Sequence, residues 1–228
     1  MRFVKLLGLV FILGFTSQVQ AGEIVVVGKG LVTQTPDMVH VSLGVKQRDM
    51  TAKRAMNRMN ETTGDVLSLL TSMGIAEHDM QTSGLSLYPV WDHNAQKNEV
   101  NRVIAFEAST RISVQIRDLD ILGKVLDQVV SEGANSFSGL TFALQNPAPA
   151  LAEARRRAVL DARNKAGVYA KAANVQLGAI LSLSEASGHR PQPAGLEISA
   201  MRSASSVPIA SGEITTTAQV TMVFEISE

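Results

Sequence analysis

Cysteine is absent from the 228-residue chain. That excludes disulfides, thiolate metal sites, a cysteine nucleophile and lipid attachment through a lipobox cysteine. Aromatic residues make up only 4% of the sequence, so any core must be built from aliphatic and small side chains. Net charge is missing too: 21 Lys and Arg stand against 21 Asp and Glu, with charged residues at 18% and apolar ones at 45%. That balance argues against a histone-like nucleic-acid binder, and the apolar content is too high for a disordered tail. No nucleic-acid partner is expected. Nowhere does an apolar run approach 18 unbroken residues, so the mature chain is expected to have no transmembrane helix. The length allows one large domain or two small ones.

The N-terminus carries the clearest signal. Arg2 and Lys5 flank the short apolar run 6–15, and Val19-Gln20-Ala21 then supplies a small-x-Ala site. The run is too short to span a bilayer of roughly 30 Å as a helix. Residues 1–21 therefore read as a signal peptide cut between Ala21 and Gly22, which implies export to the periplasm. The mature chain would keep 19 basic and 21 acidic groups.

Periodicity along the mature chain predicts an α+β fold. Residues 23–28 read as a strand closed by Gly28-x-Gly30, and a second strand starts after Pro36-Asp37. Apolar positions at steps of three and four predict a helix over 51–73, with Gly74 as its left-handed terminator. A strand over 81–91 contains Pro89, which assigns it to an edge or a bend. In the next strand Ile104, Phe106, Ala108, Thr110, Ile112, Val114 and Ile116 alternate toward one face. Asp118 caps a short helix ended by Gly133, and 137–144 returns as a strand. The order from 38 to 144 is strand, helix, strand, strand, helix, strand, which predicts a ferredoxin-like split-βαβ sandwich. A long helix over 150–173, a strand over 177–184, a Pro/Ser/Ala-rich stretch 187–211 and a final alternating strand 214–226 then form a second lobe. The boundaries are 1–21, 22–146 for an N-terminal α+β domain, and 147–228 for a C-terminal helix-strand-loop-strand lobe.

Catalytic and metal-binding patterns are not apparent. His40, His78, His93 and His189 fall in four segments without ligand spacing. Gly28-x-Gly30 lacks the third glycine that would open a nucleotide-binding helix. No G-x-S-x-G elbow occurs. The chain is expected to be non-enzymatic, with no cofactor and no metal. Met56, Met59 and Met73 share one helix face, which reads as core filling rather than an oxidant sink.

The long helix holds an anomaly. With Leu151 as zero, Ala154, Ala158, Ala162, Ala166, Tyr169 and Ala173 all fall within about 60° of it. Arg155 and Lys165 project inside that small-residue stripe, whereas Arg156, Arg157, Arg163 and Lys171 point away. Two cations on a packing face must pair, reach its rim or contact something. One reading is an ion pair with a carboxylate such as Glu107 or Glu185; the other is an anion or partner contact. The alanine stripe suits an oligomer contact as well as a core.

The same residues carry a resemblance. The set comprises Gly28-x-Gly30, Pro36-Asp37, Gly74-Ile75, Asp79-x-Gln81-Thr82, Arg117-Asp118-Leu119-Asp120 and Gly133-Ala134-Asn135. It continues with Ala154-Arg155-x-x-Ala158-x-x-Asp161-Ala162-Arg163-x-Lys165-Ala166, Leu177-Gly178, Ser182-Leu183-Ser184-Glu185, Pro208-Ile209 and Gly212-Glu213. In that order they resemble the SIMPL-domain family of exported bacterial proteins, which includes periplasmic immunogenic antigens and an oxidative-stress defence protein. The resemblance implies that 22–228 together make one SIMPL domain, without an established catalytic residue or cofactor. It also implies protection against oxidative stress and, in some members, homo-oligomers. The leading expectation is thus a non-enzymatic envelope protein acting by self-assembly or through an envelope protein partner. The alternative is a small-ligand or anion-binding periplasmic module using Arg155 and Lys165. The stretch 187–211 carries Leu196, Ile198, Met201, Val207 and Ile209, and is a candidate arm across a neighbouring subunit.

Overall fold

Thirteen residues of alternating pattern form β1 (Gly22–Gln34), and β2 (Met38–Asp49) follows after a three-residue break at Thr35, Pro36 and Asp37. Then come α1 (Ala52–Ser72), β3 (Met80–Trp91), β4 (Val103–Ile116), α2 (Leu122–Ser131), β5 (Ser136–Ala143), α3 (Ala148–Ala173), β6 (Gln176–Glu185), the two-residue β7 (Gln192–Pro193) and β8 (Ile214–Ser227). This is a computed structural model, and it describes residues 22–92, 102–185, 192–193 and 209–227. Residues 1–21, expected to be a signal peptide, lie outside the described residues, as do His93, His189 and nearly all of the 187–211 stretch.

The first sheet runs β3-β4-β2-β5, every neighbour antiparallel. Two helices cover one face, giving the ferredoxin-like layer that the order of elements predicts. Alternation sends Val39, Val41, Leu43 and Val45 of β2 and Ala108, Ile112, Val114 and Ile116 of β4 toward the helices. There they meet Ala55, Met59, Val66 and Leu70 of α1, and Leu122, Val125, Leu126 and Val129 of α2. Met59 is 1% exposed, and Met56 and Met73 pack against the same core, so the methionine face fills volume. Pro89 lies on an edge strand, where its missing N–H costs no ladder bond. The inward stripe of β4 starts later than its alternation implies. Ile104 is 43% exposed, because β2 ends at Asp49 opposite Phe106 and β4 beyond that point is paired only with β3.

Local chemistry sets the ends of the elements. Thr51 accepts the Arg54 N–H at 3.3 Å at the start of α1, and Gly74 takes φ +89° just past its end. Asp118 Oδ1 accepts the Asp120 N–H at 2.9 Å. Gly133 follows α2 at φ +112°, and Asn174 ends α3 in the left-handed region at φ 58°.

The second sheet runs β1-β8-β6, with β7 on the flank of β8, and α3 lies across it. β1 pairs with β8 along its whole length, from Gly22↔Ile226 to Gln34↔Ile214, so it belongs to the C-terminal layer and not with residues 38–146. Its alternating pattern specified a strand and a buried face but carried no information about a partner nearly two hundred residues away. The chain crosses between layers at adjacent points: Asp37 Oδ1 accepts the Gln145 N–H at 2.7 Å, and Gln145 Nε2 donates to the Asp37 carbonyl at 2.9 Å.

Candidate functional site

The α3 layer contains both sequence-predicted site residues, and its packing explains where they sit. The buried residues of α3 are Ala150, Ala154, Ala158, Ala162, Ala166 and Ala170, a strict every-fourth row with exposures of 3% or less. Such a row is inclined about 26° to the helix axis, so the buried face drifts along the helix. Tyr169, placed in the stripe by a straight wheel, is instead 58% exposed. The alanine row rests on β1 and β8, so it forms this chain's own core and is not available as an oligomer contact.

Gly28 and Gly30 face that row. A Cβ at Gly30 would lie 1.9 Å from the Ala154 carbonyl oxygen, and one at Gly28 would lie 2.0 Å from that of Ala158. Backbone meets backbone at these two points, which accounts for the Gly-x-Gly spacing: residues i and i+2 of a strand share a face.

Lys165 and Arg155 lie on opposite rims of this contact. Lys165 Nζ donates to Asp161 Oδ2 at 2.6 Å and to the Val27 carbonyl at 3.0 Å. Asp161 also accepts the Lys29 N–H at 2.8 Å, and Arg157 Nη1 donates to the Leu31 carbonyl at 2.7 Å. Three backbone groups of β1, on the edge away from β8, are thus capped by α3 side chains. The Lys165 ammonium, followed by the Lys29 N–H, holds the Asp161 carboxyl below its ordinary pKa. Glu153 is held at about 2 by Arg156 and Arg157, in that order. At the other rim Arg155 Nε donates to Glu185 Oε1 at 2.9 Å. Both anomalous cations therefore join α3 to a strand edge through a carboxylate, and neither presents an unpaired charge to an anion.

The edges those rims face are unlike each other. On β6 every residue is exposed, with Leu177 at 37%, Ile180 at 47%, Leu181 at 55% and Leu183 at 52%. Among the described residues nothing pairs with its outer edge. Edge strands left open in this way are templates for pairing with another chain.

Asp161 and Arg157 were missed as partners of β1. The wheel put Arg157 on the far side, but a long side chain can curl back to the rim. Asp161 stands at i−4 from Lys165, a spacing that signals a helical ion pair. Of the histidines, His40 and His78 come together on the first sheet, a position their sequence spacing did not reveal.

Together these features define an α+β protein with a ferredoxin-like layer joined to a helix packed closely on a second antiparallel sheet. The chain belongs to the SIMPL family, which is described as a protein of unknown function (DUF541) and matches residues 24–224. It is 35% identical over 215 residues to the 26 kDa periplasmic immunogenic protein of Brucella melitensis biotype 1, covering 91% of this chain and 86% of that protein. The protein of the same name in Brucella abortus strain S19 is similar to the same extent: 35% identity over 215 residues.

Proposed function

We propose that this chain is an exported, periplasmic, non-enzymatic protein of the cell envelope that works by self-assembly, with defence against oxidative stress as its physiological outcome. The observation that carries the assembly reading is the asymmetry of the second sheet. Its β1 edge is capped by Arg157, Asp161 and Lys165, while its β6 edge exposes Leu177, Ile180, Leu181 and Leu183 with no strand beside it among the described residues. A second copy pairing along β6 would cover both the open backbone groups and the leucines. Export is supported by the sequence pattern of residues 1–21 and by relatives whose names call them periplasmic. The stress role rests on the family resemblance.

Absence of cysteine makes a direct test clean. Leu181→Cys should give a covalent dimer under mild oxidation, while Val168→Cys on the exposed side of α3 should not. Equal cross-linking at both positions, or none at 181, contradicts the assembly surface. A deletion strain should lose survival under peroxide; unchanged survival contradicts the stress role alone. Arg155 and Lys165 are each paired with a carboxylate, which favours the assembly reading over anion binding through these two cations.

A further inference from the structure

Among the described residues helices cover only one face of the first sheet, and the other face holds a concavity of about 520 Å³. The register shows how it is built. Gln81, Ser113, Ser42 and Gly139 lie on one rung across all four strands. On the next rung stand Gln115, His40 and Thr141, with His78 and Asp79 at the β3 end. These residues alternate with Val39, Val41, Ile112 and Val114, which are buried under the helices, so their side chains share the uncovered face.

Two properties of this concavity bear on what it could hold. First, most of its hydrogen-bonding groups are uncommitted: among the described residues no side-chain hydrogen bond engages His40, Gln81, Ser113, Gln115 or Thr141, whereas Ser42 Oγ accepts from Ser138 Oγ at 3.0 Å and His78 Nε2 stands 3.6 Å from Asp79 Oδ2. Second, it has almost no net field. Its one carboxylate, Asp79, accepts two bonds from Arg117, at 2.8 and 2.6 Å, which cancel its charge. Among the described residues no Lys and no second Asp or Glu lines the concavity.

We propose that this face binds a neutral, polyhydroxylated ligand of the saccharide class. Ser and Thr hydroxyls and Gln amides each offer a donor and an acceptor, and a neutral imidazole offers one of each. That mixture matches sugar hydroxyls, which also donate and accept at a single atom. A bound anion would require surplus fixed positive charge, and a cation an unpaired carboxylate; among the described lining residues there is neither Lys nor Arg, and the one carboxylate is paired. Of the apolar lining residues Val41, Met80 and Val114, the two valines are 3% and 1% exposed, so most of the accessible lining is polar. Its volume lies within the roughly 300–1,000 Å³ usual for small-ligand sites. The site lies on the opposite layer from β6, so the inference stands independently of the assembly reading.

Gly139 gives the deciding variant. A Cβ built there meets nothing within 4 Å, so Gly139→Phe is sterically allowed and places a ring where the ligand would lie. Glucose and N-acetylglucosamine, with inorganic phosphate as the charged control, are the probes for equilibrium dialysis and saturation-transfer NMR at pH 8. Saturable binding of a sugar is expected, weakened at least tenfold by Gly139→Phe and by Gln115→Ala, with little or no binding of phosphate. Light scattering and thermal melting should show both variants assembled and folded as the parent is. Phosphate binding without sugar binding, no binding of any probe, or sugar binding that survives Gly139→Phe would each overturn the proposal.

Discussion

In the α1/α2 layer the residues between helix and sheet are Val, Leu, Ile and Met, with few alanines among them; in the α3 layer the helix contributes only alanine at full burial and the facing strand contributes two glycines. Bulky side chains gain stability by removing apolar area from water, about 25 cal/mol for each Å². Alanine has little area to bury. The α3 layer must instead draw on close van der Waals contact between backbones, supplemented by ion pairs and backbone hydrogen bonds along its rims. Each layer should therefore be vulnerable to the opposite insult: loss of atoms in the first, gain of atoms in the second.

The largest effect is expected from adding atoms to the second layer. Gly30→Val puts a branched side chain against the Ala154 and Ala158 backbone, at positions where even a Cβ would come within 1.9 Å and 2.6 Å. Strand and helix must separate, and a loss of about 4 kcal/mol or more in urea unfolding is expected, at the upper end for overpacking. A loss below about 1 kcal/mol would show that the layer can yield and would break the contrast.

Removing atoms should reverse the ranking of the two layers. Leu70→Ala in the fully buried core of α1 should cost about 2–5 kcal/mol through lost burial and a residual cavity. Ala158→Gly in α3 should cost only about 1 kcal/mol, close to the helix-propensity difference. Equal losses at the two sites would mean that the alanine row contributes as a conventional core.

The smallest effects concern the rims and acid pH. Lys165→Ala removes an ion pair whose partners are 43% and 35% exposed, so its cost should stay below about 1 kcal/mol and shrink in salt. Asp161 in one layer and Asp79 in the other both have pKa values lowered in the fold, by Lys165 and Arg117 respectively. A lowered folded pKa means that the contribution is complete above the unfolded value near 3.9 and is lost as pH falls through the folded value. Melting temperature should therefore fall below about pH 4, and less steeply in Asp79→Asn, which lacks that titration. An identical acid limb in parent and variant would remove Asp79 from the account.

Local signals were legible in the sequence, and pairings were not. Alternation over seven positions identified β4, and Gly74, Gly133 and Asn174 marked helix ends, because each states a backbone preference of its own neighbourhood. The strand-helix order from residue 38 to 144 was enough for the ferredoxin-like layer. The partnership of β1 with β8 was hidden, since a strand pattern names a face and not a neighbour. Two complementary small-residue patterns, Gly28-x-Gly30 and the every-fourth alanine row, were the available signal. Taken singly, the first is an incomplete nucleotide motif and the second suits an oligomer contact as well as a core. At the site level, the wheel puts Arg155 and Lys165 on a packing face, the structure places both at its rims, and Glu185, one candidate partner, is the carboxylate that Arg155 meets. The concavity around His40 and Gln115 was invisible, because it arises only when four strands align.

The functional proposal depends most on the open β6 edge, and light scattering on the mature chain tests it most directly. At tens of micromolar the parent should show a mass of several subunits, and Leu181→Lys combined with Leu183→Lys should reduce it to one subunit without loss of secondary structure by circular dichroism, since charged residues on an edge strand block pairing. A parent that is monomeric, or a double variant whose mass is unchanged, would contradict assembly through that edge.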